Sequence, residues 1–90
     1  MIALRVFVGG VVQGVGYRAF AKRTAESYGL SGWVRNLPDG RVELFVQGSK
    51  EVVWSFLGEL FEGPPASKVN RMEILKEVPR DEERTFNILY

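Results

Sequence analysis

Neither cysteine nor histidine occurs among the 90 residues. Disulfides, thiolate nucleophiles, phosphohistidine intermediates and zinc sites built on Cys or His are thereby excluded. Any chemistry must rest on Arg, Lys, Asp, Glu, Asn, Ser, Thr, Tyr or backbone groups. An excess of one charge is also missing: 12 Lys+Arg stand against 11 Asp+Glu, a formal charge of +1. There is thus no broad basic field of the kind that drives binding to a nucleic-acid backbone. No apolar run approaches the ~20 residues that cross a bilayer, and Met1 to Arg5 enter a short alternating strand rather than an apolar leader. The expectation is a cytoplasmic protein with no membrane segment and no nucleic-acid partner. What the chain does have is 46% hydrophobic and 26% charged residues, the balance of a folded globular chain. Its length suits a single domain, 1–90, and is too short for separate cofactor and substrate domains.

Ile2, Leu4, Val6 and Val8 alternate with residues of the other parity, the period of a half-buried strand. After a glycine-rich loop, Phe20, Ala21, Thr24, Ala25 and Tyr28 recur at three- and four-residue spacing, predicting a helix over roughly residues 18 to 28 that Gly29 closes. Gly32 to Leu37 reads as a second strand. Leu37-Pro38-Asp39-Gly40 is a tight-turn signature, and Arg41 to Gln47 alternates again, so strands two and three form an antiparallel hairpin. Ser49 offers an N-cap to a second helix carrying an apolar stripe of Val53, Phe56, Leu57 and Leu60, which stops at Gly63-Pro64-Pro65. Lys68 to Val78 suggests an imperfectly amphipathic fourth strand. Arg80 to Arg84 reads as a solvated loop, and Phe86, Ile88 and Tyr90 as a short last strand. The order is β-α-β-β-α-β plus a terminal strand. The fold class predicted is an α/β (α+β) ferredoxin-like split sandwich, with a mainly antiparallel sheet and both helices on one face.

The segment Gly10 to Arg18 concentrates the chemistry. It ends a strand, turns on glycines and delivers Arg18 to the start of a helix, where unpaired N–H groups and the dipole normally disfavour a cation. A bound phosphate or carboxylate would outweigh that repulsion; a solvent-facing arginine is the other reading. Gly14-x-Gly16-x-x-Ala19 superficially fits a dinucleotide-binding fingerprint, but strand two carries Asn36 and turns into an antiparallel hairpin instead of continuing a parallel sheet. RNA-recognition domains share the element order, yet Glu43 and Gly48 occupy positions where base-stacking aromatics are needed. Asn36 suits turn chemistry, and gains a second meaning only if its amide faces the loop. Trp33, Trp54, Phe56 and Phe61 read as packing residues. Asp39 and Glu43 read as solvated charge rather than an acid–base pair.

Val8 to Arg18 fits V-x-G-x-V-Q-G-V-G-[FY]-R, and Gly32 to Gly40 fits G-[FYW]-V-[RKQ]-N-x-x-x-G. With Gly63-Pro64-Pro65-Ala66-Ser67-Lys68-Val69, these blocks make the chain resemble the acylphosphatase family over essentially its full length. The resemblance implies hydrolysis of the carboxyl–phosphate bond of acyl phosphates without metal or cofactor. It implies phosphate binding by Arg18 and by the loop Gln13, Gly14, Val15, Gly16, Tyr17 and Arg18, and water positioning by Asn36. Arg18 and Asn36 are thus the expected catalytic pair. An acyl phosphate is the expected substrate, inorganic phosphate or sulfate the product-like ligand, and a monomer the expected state. Gly9 departs from the family, many of whose members carry histidine or another polar residue there. The alternative is a non-catalytic anion- or metabolite-sensing module on the same fold, which would need the anion cradle without a water-positioning amide.

Overall fold

A computed structural model describes residues 1–90. Its elements are β1 (Ile2–Val11), α1 (Tyr17–Ser27), β2 (Ser31–Asn36), β3 (Val42–Gly48), α2 (Lys50–Glu62), β4 (Lys68–Glu77) and β5 (Phe86–Leu89). The strands form one sheet in the order β4-β1-β3-β2-β5. β1 pairs antiparallel with β3 and β4, β2 pairs antiparallel with β3, and β5 lies parallel beside β2. The expected split arrangement is present, with β1 and β3 in the middle.

The period-two pattern of β1 sorts the sheet into two unlike faces. Val6 stands opposite Leu44 and Ile74, and Leu44 opposite Val34, so the even-numbered apolar residues line up across the strands. Onto this face pack Tyr17, Ala21 and Ala25 of α1 and Val53, Phe56, Leu57 and Leu60 of α2, forming one buried cluster. Each large side chain buried there is worth about 1.5–3 kcal/mol. Trp54 and Phe61 do not join it: they are 46% and 53% exposed, because they sit seven residues apart on the flank of α2, roughly 100° round the helix from the middle of the stripe. Their reading as packing residues is corrected.

Arg5, Trp33, Arg35, Glu43 and Phe45 share the other face. Glu43, expected to be solvated, is only 3% exposed. Its carboxylate accepts from Arg5 Nη1 at 2.9 Å and from Arg35 Nε at 2.7 Å. Trp33 stacks beside Phe45, while Arg5 and Arg35 each lie 5.5 Å from the Trp33 ring centre. The face without helices is thus covered by arginine stems and two aromatic rings, which remove Glu43 from water. Asp39 is exposed as expected: it accepts from the Arg41 backbone and side chain, and these bonds hold its carboxyl below the usual range.

β1 runs three residues further than its apolar alternation predicts. Gly9 and Gly10 still pair with β4, across a bulge between them, and Val11 stands opposite Lys68. A Cβ at Gly10 would lie 2.1 Å from the Lys68 carbonyl oxygen, so only glycine allows this close approach. At Gly9 a Cβ would meet nothing closer than 3.6 Å, so the family's larger residue would fit there without displacing the backbone. The extension carries β1 to the edge of the glycine loop.

Candidate active site

Between β1 and α1 the chain anchors alternate residues and leaves the rest of its backbone free. Gln13 donates both amide hydrogens to the β2–β3 turn, to Leu37 O and Arg41 O, each at 2.9 Å. Val15 packs against the core. Tyr17 is buried and donates its hydroxyl to Leu60 O at 2.7 Å, near the end of α2. Burial pushes that hydroxyl's pKa well above its ordinary value. Between the anchors Gly14 and Gly16 have φ of 74° and 79°, a region that favours glycine, and neither site offers contacts to a side chain. Gln13, Val15 and Tyr17 therefore contribute to the site by fixing the loop, with their side chains committed elsewhere.

The start of α1 has no internal anion. Gly16 is its N-cap with no side-chain bond, and the first turn contains no acidic residue. The first N–H of the helix to find a backbone carbonyl is that of Phe20, onto Gly16 O at 3.0 Å. The N–H groups from Gly14 to Ala19 donate to no protein acceptor, giving a run of partial positive charge beside a guanidinium. Arg18 rests lightly. Its Nη1 donates to Leu89 O at 3.3 Å, and its guanidinium carbon lies 4.8 Å from the centre of the Tyr90 ring, leaving most of its five donors uncommitted.

Two independent contacts bring Asn36 to the same end of the sheet. Gln13 is bonded to Leu37, the next residue after Asn36. Arg18 is bonded to Leu89, whose neighbour on β2 is Arg35, the residue before Asn36. Adjacent strands lie about 4.8 Å apart, so the loop, Arg18 and the end of β2 form one neighbourhood. Asn36 is on the helix-facing parity, opposite Val42. Its Oδ1 is buried and accepts no hydrogen bond from the protein. A buried acceptor without a donor is costly by about 1–3 kcal/mol, which favours a role for it over simple turn chemistry.

The geometry defines a class first: a split β-α-β-β-α-β domain with an uncapped, arginine-bearing helix start beside a buried free amide oxygen, suited to holding an oxyanion. The acylphosphatase family model matches residues 4–88. An acylphosphatase from Roseiflexus sp. is 41% identical over 100% of this chain and 97% of its own length. One from Thermus thermophilus is 50% identical over 82% of this chain and 84% of its own. The crystal structure of an acylphosphatase from Bacillus subtilis superposes with a TM-score of 0.95 at 37% identity, covering 100% of both chains. The chain belongs to the acylphosphatase family, and it is an enzyme of acyl-phosphate hydrolysis. No helix of the structure is long and apolar enough to cross a membrane.

Proposed function

We propose that the phosphoryl group of a small acyl phosphate is held by Arg18 together with the amides of the Gln13 to Arg18 loop, and that Asn36 positions the attacking water. The observation that carries this reading is the buried, partnerless Oδ1 of Asn36 at the same end of the sheet as the unpaired N–H groups. An amide oxygen that accepts one hydrogen of a water turns that water's lone pair outward. A neutral amide can do so beside a phosphoryl dianion without the repulsion a carboxylate would bring. Water oxygen then bonds to phosphorus, the bond from phosphorus to the acyl oxygen breaks, and the carboxylate departs with its electron pair. A carboxylate is a good leaving group, so no general acid is required. The water's proton passes to a phosphate oxygen. Arg18 and the loop amides stabilise charge on the equatorial oxygens throughout.

Hydrolysis of benzoyl phosphate separates the two roles. Arg18→Ala should lose phosphate binding along with a factor of about 10²–10³ or more in kcat/KM. Asn36→Ala should lose kcat by a comparable factor while inorganic phosphate still inhibits at an unchanged concentration. Near-normal turnover by the Asn36 variant would overturn its role, and phosphate binding without turnover in the unaltered protein would favour a sensing module. The same reading makes the chain a single 1–90 domain acting as a cytoplasmic monomer, to be checked by sedimentation with and without phosphate.

A further inference from the structure

At the end of the sheet opposite the loop, a cleft of about 510 Å³ opens between the start of α2 and the adjoining ends of β1 and β4. Its floor is apolar: Ile2, Leu4 and Pro79, with Trp54 as a wall. Lys50 and Trp54 are one helical turn apart and share a side of α2. Lys76 stands directly opposite Leu4 on β4, so it rises from the same face of the sheet. Neither lysine takes part in an ion pair anywhere in the protein. The one carboxylate lining the cleft, Glu77, is already engaged by Arg5 at 3.5 Å and Arg80 at 3.4 Å. Two free lysines thus flank an apolar cleft that Met1 also lines, with a tryptophan left 46% exposed. β1 spans 10 residues, and at about 3.3 Å per residue the cleft is on the order of 25 Å from the glycine loop.

We propose that this cleft is a binding site for a small organic carboxylate with a flat, apolar body of one or two rings. Its ring would lie on Trp54 and the Ile2–Leu4 floor, and its carboxylate between Lys50 and Lys76. The volume is that of an ordinary small-molecule pocket. The charge is positive and the walls are apolar, so a neutral ring loses the ion pairs and inorganic phosphate loses the floor. Two exposed lysines alone hold an anion only weakly, and they lack the planar fork with which arginine grips phosphate. The apolar body therefore supplies most of the affinity and the lysines select the charge.

Titration of the isotopically labelled protein with 2-naphthoate tests this, with 2-naphthamide as the neutral counterpart and inorganic phosphate as the bare anion. The expected result is saturable binding with Kd on the order of 0.1–1 mM, with resonance changes centred on Ile2, Leu4, Lys76 and the Trp54 indole. Lys50→Gln combined with Lys76→Gln should weaken naphthoate about tenfold and leave naphthamide unchanged. Trp54→Leu should weaken both ligands, and every variant should retain benzoyl phosphate turnover, which shows that it is folded. The proposal fails if naphthoate moves only the Gly14 to Arg18 loop, if naphthamide binds the unaltered protein as tightly as naphthoate, or if phosphate alone saturates the cleft. Absence of saturation below about 10 mM would also overturn it.

Discussion

The two helices of this small protein begin in opposite ways. α2 starts from Ser49 in an extended conformation, Val53 N donates to Ser49 O at 2.9 Å, and Glu51 lies in the first turn. Its positive end is met by the protein's own carboxylate. α1 starts from Gly16 in the left-handed region, with no acid in its first turn and Arg18 in place of one. Its N–H groups are left without an acceptor in the protein. A helix start that is finished internally is structural, and one that is left positive and supported on all sides by anchored residues is suited to binding.

The most severe way to break this contrast is to give α1 what α2 has. Ala19 is exposed, in the first turn of α1, so Ala19→Glu would put a carboxylate against the free amides. Turnover of benzoyl phosphate should fall by about a hundredfold or more through competition for the anion site, while the melting temperature holds or rises. Undiminished turnover would show that the α1 start does not hold the substrate.

Next in size is the anchor under the loop. Tyr17→Phe leaves Leu60 O without its donor and should cost about 1–3 kcal/mol in urea unfolding. The same hydroxyl sets an alkaline limit. Its pKa is raised in the folded state by burial, from an ordinary 10.0, so the unfolded chain ionises first as pH rises. The stabilisation is complete below about pH 10 and is lost above it, at about 1.4 kcal/mol per pH unit for one tyrosine. Tyr17→Phe should remove that part of the slope. Tyr28, raised by its hydrogen bond to Glu59, keeps a remainder. The smallest effects belong to α2. Glu51→Gln should cost only a few tenths of a kcal/mol, and Ser49→Ala less than the ~1 kcal/mol usual for an N-cap, because the Ser49 side chain makes no capping bond. Neither should change turnover.

Much of this contrast is legible in the sequence because it rests on local pattern. Glycines flanking Val15, Arg18 following them and the absence of Asp or Glu from Gln13 to Thr24 are enough to mark an unusual helix start. Alternation in β1 and β3, and three- and four-residue spacing in α1 and α2, likewise set the element order. What could not be read depends on neighbours distant in the chain. Glu43 is buried by Arg5, 38 residues away. The Gly9 to Val11 extension of β1 is held by β4, which local propensity at two glycines does not suggest. Arg18 rests on Leu89, 71 residues on. Asn36 looks like a turn residue until the fold buries its oxygen without a donor. Trp54 and Phe61 resemble core residues by type, and only the phase of the α2 stripe places them outside.

The most direct measurement of the central claim is a titration of the isotopically labelled protein with inorganic phosphate, following both helix starts in one experiment. The amides from Gly14 to Ala19, the Arg18 side chain and the Asn36 amide should move together along one saturation curve, while the amides of Lys50 to Val52 stay still. Equal movement at the two helix starts, or movement confined to scattered surface lysines, would contradict it.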